Sequence, residues 1–60
     1  MTLPKDPFIL LSFVNTKLRD EYASLNDLCN FNQLDQAQIE TTLSSIAYVY
    51  HKEHNRFIAR

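Results

Sequence analysis

Apolar residues in the first third of the chain recur three or four positions apart, which is the spacing of one helix face. They are Leu11, Val14, Leu18 and Tyr22. Asp6 precedes them as a typical N-cap, and Pro7 suits the first helical position, where its missing N–H is not needed. The pattern predicts a helix over about residues 7–22.

A second apolar strip lies on another side of this predicted helix and includes Ile9 and Phe13. The first two turns are therefore apolar almost all round, which is not typical of a surface helix. Two explanations stay open: the C-terminal segment covers this face, or the face contacts a second copy or a partner protein. Association would add to the small core that a chain of 60 residues can build.

Two shorter helices are predicted in the middle of the chain. Ser24 is an N-cap with Asp27 three residues later, and Asp35 is an N-cap with Gln38 in the same place, as in a capping box. The helices are expected over about residues 25–32 and 36–47. Their predicted inward residues are Leu25, Leu28, Cys29 and Phe31 in the first and Ile39, Leu43 and Ile46 in the second.

The last part of the chain changes to a β pattern. The stretch "YVYHKEHNRFIA" has a β-favouring run on either side of a polar tetrad, which predicts a hairpin over about residues 48–59. Because the chain has no Gly, we expect turns with positive φ to use Asn, Asp or His, with Asn55 as the best candidate. Tyr48 and Tyr50 should share one face of the hairpin, with Val49 on the other.

These elements predict a single domain over residues 1–60, mainly α with a C-terminal β-hairpin. Three helices followed by a hairpin form a helix-turn-helix of minimal winged-helix-like order. One of the two hairpin faces is expected to pack on the helices, and the other, with Ile58, would extend an association surface.

Three stretches, "LPKDPFILLSFVNTKLRDEY", "SLNDLC" and "YVYHKEHNRF", resemble a small bacterial family known only as a domain of unknown function. The resemblance runs from Leu3 to Phe57 and implies a stand-alone chain of about this length, with no catalytic residue to carry over. Residues 24–48 are also similar to the helix-turn-helix of bacterial regulators. Two departures are Gln33, where that motif usually has Gly, and the lack of a leucine near Asn32.

Charge is distributed unevenly along the chain, whose net value is −1. Residues 1–23 hold three basic and three acidic side chains, whereas residues 24–50 hold three acidic and no basic ones. The last ten residues hold three basic side chains and one acidic. Since Lys and Arg supply most of the affinity for DNA, this distribution opposes what the helix-turn-helix pattern suggests.

Candidate nucleic-acid contacts are the outward polar residues of the third helix and the cations of the first helix and the hairpin. They are Lys17, Arg19, Gln38, Thr41, Ser45, Lys52, Arg56 and Arg60. Gln can pair with adenine and Thr or Ser can make generic contacts, but the third helix lacks the Arg that grips guanine. Duplex DNA is therefore one candidate partner, held by a weak set of cations.

Other chemistry is poorly supported by the sequence. His51 and His54 lie on the polar turn without the further ligands of a zinc site, and Cys29 is expected to be a small core residue. We expect no enzyme activity, cofactor, metal or small-molecule substrate. The apolar run at residues 8–14 is far shorter than the roughly 20 residues that cross a bilayer, so we expect a cytoplasmic protein with no membrane partner.

The sequence thus predicts a small non-enzymatic binding or regulatory module on a helix-turn-helix scaffold, with weak DNA binding as one version. The alternative is a protein-interaction or homo-oligomerisation module that binds no nucleic acid. The candidate interface for that alternative is formed by Ile9, Phe13, Tyr48 and Tyr50.

Overall fold

Three helices are followed by a two-stranded antiparallel hairpin in the computed structural model, which describes residues 3–60. The elements are α1 (Pro7–Asp20), α2 (Leu25–Asn32), α3 (Gln36–Ser44), β1 (Tyr48–His51) and β2 (Arg56–Ala59). The predicted class, mainly α with a C-terminal hairpin, is confirmed. The first two residues of the predicted domain lie outside the described residues.

All three helices begin at the predicted N-caps, which are Asp6, Ser24 and Asp35. The Asp6 carboxylate accepts two backbone N–H groups, at 2.8 and 3.1 Å. The Ser24 hydroxyl and the Asp35 carboxylate each accept one, at 3.0 and 3.3 Å. Each cap satisfies N–H groups that have no partner within the helix, and this local need explains why the starts are readable in the sequence.

Helices α1 and α3 end two or three residues before their predicted ends. Tyr22 and Ile46 follow the last helical residues, Asp20 and Ser44, but both side chains still pack against the core. The apolar period therefore continues past the point where the helical backbone stops. At α3 the backbone reverses because Ala47 has a φ of 64°.

Three residues have a left-handed backbone: Gln33, Ala47 and Asn55. The prediction for Asn55 is confirmed, but the expectation that only Asn, Asp or His would serve is wrong. Gln33 ends α2 with φ 55° and ψ 47°, and the next N–H donates to the Cys29 carbonyl at 2.9 Å. This is the usual glycine-type helix ending, adopted here by a residue whose Cβ makes it unfavourable.

The core is formed by nine buried residues from the three helices and β2. They are Leu10, Val14, Leu18, Leu25, Leu28, Cys29, Ile39, Leu43 and Phe57. Two predictions about the core were wrong. The buried stripe of α1 begins at Leu10 rather than Leu11, which is only half-buried, and Phe31 is 77% exposed. Phe31 lies to the side of the buried face of α2, where its ring meets that of Tyr22 at a centroid distance of 6.0 Å.

The hairpin packs one face on the helices, as predicted for one of its two sets of residues. Tyr48 pairs with Ala59 and Tyr50 with Phe57, so these four share the inner face. The rings of Tyr50 and Phe57 have centroids 5.5 Å apart. The outer face carries the pairs of Val49 with Ile58 and His51 with Arg56.

Candidate functional site: the first helix and the hairpin

Asn15 on α1 closes the outer edge of β2. Its Nδ2 donates to the Phe57 carbonyl at 3.1 Å, and its Oδ1 accepts the Phe57 N–H at 2.8 Å. The side-chain amide thus makes the two hydrogen bonds that a third strand would make at this position. The edge of β2 is fastened to the helix at this point.

Asn55 joins the hairpin turn to the end of α1. Its Nδ2 donates to the carbonyls of Leu18 and Tyr22, at 3.1 and 2.9 Å. Carbonyls at a helix C-terminus lack partners within the helix, so the amide satisfies one of them, that of Leu18, together with the Tyr22 carbonyl just after α1. Its Oδ1 accepts the hydroxyl of Tyr50 at 2.7 Å, and that hydroxyl in turn accepts the Leu25 N–H at 3.2 Å.

These bonds place the hairpin turn against the junction of α1 and α2. The sequence analysis missed the roles of Asn15, Tyr50 and Asn55, although all three lie in the stretches that carry the family resemblance. A possible signal was the polar Asn15 beside an apolar stripe, since an amide at such a position usually has a hydrogen-bond partner.

Seven of the eight candidate nucleic-acid residues are exposed, and Lys17 is half-buried. The structure does not bring them into one surface. Arg19 and Arg56 line a groove between α1 and β2, which we call the α1–β2 groove. Gln38 lines a separate groove between the N-terminal segment, α1 and α3, and the two grooves share no lining residue. Thr41 and Ser45 are exposed on α3 and its C-cap.

The remaining hairpin cations are also separated from one another. Lys52 is in the turn and Arg60 follows the far end of β2, where its N–H donates to the Ala47 carbonyl at 2.8 Å. Four residues of extended chain put Arg60 roughly 13 Å from Arg56. The predicted contact set is therefore divided among the two ends of the hairpin, α1 and α3.

Two of the candidate cations are already paired with neighbouring carboxylates on or just after α1. The Lys17 ammonium lies 2.6 Å from Glu21, and the hydrogen bond between them raises the pKa of Lys17. The Arg19 guanidinium lies 2.8 Å from Asp20, and its hydrogen bonds lower the pKa of that carboxyl. Within residues 3–60 these are the ion pairs formed, and the hairpin cations are in neither. Such exposed pairs contribute little to stability.

The four candidate interface residues differ in exposure. Ile9 is 59% exposed, and the adjacent Phe8, which the sequence analysis did not select, is 64% exposed. Phe13 is half-buried against the core, with the Lys17 ammonium 5.8 Å from the centre of its ring. Tyr48 and Tyr50 are also half-buried against the core.

We therefore define the apolar tip of α1 as Phe8 and Ile9. Both follow directly from the start of the helix at Pro7, where Asp6 binds their backbone N–H groups. The cap fixes the first turn and so holds two large apolar side chains at the surface.

The cysteine and histidine side chains lie in different environments, the cysteine in the core and the two histidines on the hairpin. Cys29 is 3% exposed, and burial, with smaller effects from the charges of Glu40 and Asp35, raises the pKa of its thiol. It therefore has the environment of a core residue rather than that of a nucleophile. The rings of His51 and His54 are 6.4 Å apart. In the described part of the chain, no three His, Cys, Asp or Glu side chains are grouped so that they could hold a metal ion.

The fold and this site define a small helical domain with a hairpin fastened to its first helix. The chain belongs to the family described as Domain of unknown function (DUF4250), whose model matches residues 4–57. The predicted resemblance to a domain of unknown function is thus confirmed over almost the same span. No curated protein and no solved structure matches the chain. From residue 3 onward, none of the helices has the length and apolar character needed to cross a membrane.

Proposed function

We propose that this chain is a cytoplasmic, non-enzymatic binding module that associates with a second copy of itself through the apolar tip of α1. The observation that carries the proposal is the exposure of two adjacent large apolar side chains, Phe8 at 64% and Ile9 at 59%. Contiguous exposed apolar patches mark association sites, whereas scattered single residues are common on any surface.

A second copy is the occupant that best fits the size and charge of the chain. In a twofold dimer the same surface meets itself, so one apolar pair per chain gives four buried side chains. The net charge of −1 causes little repulsion between copies. A chain of 60 residues also has the most to gain from covering such a surface, because its own core is small.

The oligomeric state of purified protein tests this proposal. Light scattering on the wild-type chain should give a mass of twice 7.0 kDa at high concentration, and Ile9→Glu should return it to one chain. Ile9 is the position to change because Phe13, which is half-buried, would also affect folding. Thr16→Glu, at another exposed position of α1, is the matched control and should leave the dimer intact. A monomeric wild type, or a dimer that survives Ile9→Glu, would reject the proposal.

Duplex DNA is the second candidate, in which the three helices and hairpin serve as a minimal winged helix. The observation that favours it is the exposure of Gln38, Thr41 and Ser45 along α3. The position of the cations weakens it, because within residues 3–60 the three candidate cations outside the ion pairs lie in or just after the hairpin and none lies on α3.

Fluorescence anisotropy with a labelled duplex tests the DNA candidate. Three phosphate contacts from Lys52, Arg56 and Arg60 predict a slope of log K against log salt of about −3. Lys52→Gln should reduce the slope by about one. Absence of binding at low salt would eliminate this candidate without affecting the dimer proposal.

A further inference from the structure

The α1–β2 groove has an open volume of about 590 Å³, and seven of its eight lining residues are polar or charged. One wall is the outer side of α1, and the other is formed by the turn and the start of β2. Leu18 is the one apolar residue of the lining.

Two of the polar lining residues hold the walls together. The Asn15 amide makes two hydrogen bonds to β2, and the Asn55 amide makes two to the end of α1 and the residues after it and one to Tyr50. The oxygen and nitrogen of both amides therefore have partners. Because these bonds fix β2 and the turn relative to the helix, the opposite walls of the groove are held at a set separation. The site therefore needs no rearrangement to form.

The other polar groups of the lining are hydrogen-bond donors without a partner among residues 3–60. They are the hydroxyls of Ser12 and Thr16 on α1, and the His54 ring and the Arg56 guanidinium opposite. Arg19 donates two of its five N–H groups to the Asp20 carboxylate, at 2.8 and 3.1 Å, and its other three N–H groups are not used in this pair.

The charge of the groove is positive although the chain as a whole is negative. Two arginines and no carboxylate line it, in a chain of net charge −1. Asp20 lies outside the lining and forms an ion pair with Arg19, which partly neutralises its charge. Arg56 is therefore the stronger source of positive charge in the groove. Arginine side chains suit an anion with several acceptor oxygens, because a guanidinium group offers several N–H donors to a tetrahedral oxyanion.

We propose that the α1–β2 groove binds a phosphate-type oxyanion, with Arg56 as the main contact, Arg19 as the second and the hydroxyls of Ser12 and Thr16 as neutral donors. This site is independent of the proposed dimer, because the apolar tip of α1 is not part of its lining. The phosphate could belong to a free ion or to a nucleic-acid backbone, which offer the same oxygens.

Titration of the full ¹⁵N-labelled chain with sodium phosphate, followed by NMR, tests the site. The expected result is a saturable shift of the amides of Thr16, Arg19, Asn55 and Arg56 that sodium chloride of equal ionic strength does not reproduce. Arg56→Gln should weaken binding roughly tenfold or more, since it removes a charge-assisted hydrogen bond. Lys5→Gln is the matched control, because it removes one positive charge at an exposed position outside the lining of this groove, and it should leave the affinity within twofold.

A second arm identifies the source of the phosphate. A short single-stranded oligonucleotide that saturates the same amides at least tenfold more tightly than inorganic phosphate, with the same loss in Arg56→Gln, would indicate a nucleic-acid backbone. Equal affinity for the two would indicate the free ion. Shifts that never saturate with either probe, or equal effects of Arg56→Gln and Lys5→Gln, would overturn the proposal. The folding of each variant is checked by the amide signals of α3, which should keep their wild-type positions.

Discussion

Asn55 meets two structural demands at one position in the hairpin turn. Its backbone is left-handed, with φ 49°, and its side chain connects α1 to Tyr50. Asn tolerates the left-handed region better than most residues, and its amide offers both donors and an acceptor. The chain has no Gly, but a Gly here would satisfy only the first demand.

Asn55→Gly separates the two demands, because it keeps the backbone conformation and removes the three side-chain hydrogen bonds. We expect a loss of about 2–3 kcal/mol in the free energy of unfolding, at roughly 1 kcal/mol for each bond. Urea denaturation followed by circular dichroism measures it. Tyr50→Phe removes only the bonds of the hydroxyl and should cost less. A neutral Asn55→Gly would show that the backbone conformation alone explains this residue.

Gln33 is the opposite case, a residue whose backbone conformation is unfavourable and whose exposed side chain has no evident role in the fold. Gln33→Gly should raise the free energy of unfolding by about 0.5–1 kcal/mol, because relief of the left-handed strain outweighs the added freedom of the unfolded chain. The matched control is Gln38→Gly inside α3, which should lower it by about 1 kcal/mol. Equal effects of the two changes in urea denaturation would contradict the assignment of strain to Gln33.

Helix α1 supports several features at the scale of elements. Its buried face packs on the core, one side holds β2 through Asn15, and its C-terminal end holds the turn through Asn55. Its exposed start carries the apolar tip, and its outer side forms a wall of the α1–β2 groove. Both proposed surfaces therefore depend on the position of this one helix.

Asn15→Ala should loosen β2 from α1 without unfolding the three helices. We expect hydrogen exchange of the Phe57 amide to become at least tenfold faster and the free energy of unfolding to fall by about 1–2 kcal/mol, since the change leaves two strand groups without partners. Thr16→Ala, at the next position of the same helix, is the control for the added helix propensity of Ala. If the Phe57 amide exchanges at the wild-type rate in both variants, the hydrogen bonds of the Asn15 side chain do not hold β2.

The whole molecule is small enough for association to contribute to its stability. Nine buried residues form the core among residues 3–60, and the apolar tip of α1 is outside it. A domain of this size is expected to be only marginally stable alone. Dimer formation would add to this stability by mass action.

The melting temperature should therefore depend on protein concentration. For a dimer that unfolds to two chains, a tenfold increase in concentration raises Tm by roughly 5 °C for chains of this length. Differential scanning calorimetry over a hundredfold range measures the effect, and Ile9→Glu should abolish it. A Tm independent of concentration in the wild type would mean that folding and association are not coupled.

The features that were readable in the sequence are local ones. The caps at Asp6, Ser24 and Asp35 depend on a side chain and the next few N–H groups, and the hairpin depends on two β-favouring runs around a polar turn. These interactions span a few residues, so their sequence signals do not depend on the rest of the fold. The acidic centre and the family resemblance are likewise properties of the chain itself.

Only the tertiary structure decided which of these residues meet. Leu10 rather than Leu11 became the first buried residue of α1, and Phe31 was left exposed, because burial depends on which side of each helix faces its neighbours. The same packing brought Arg19 and Arg56 to one groove across a separation of 37 residues and left Gln38 in another. Periodicity defines the faces of an element, but the partners of each face are set by the arrangement of all five elements.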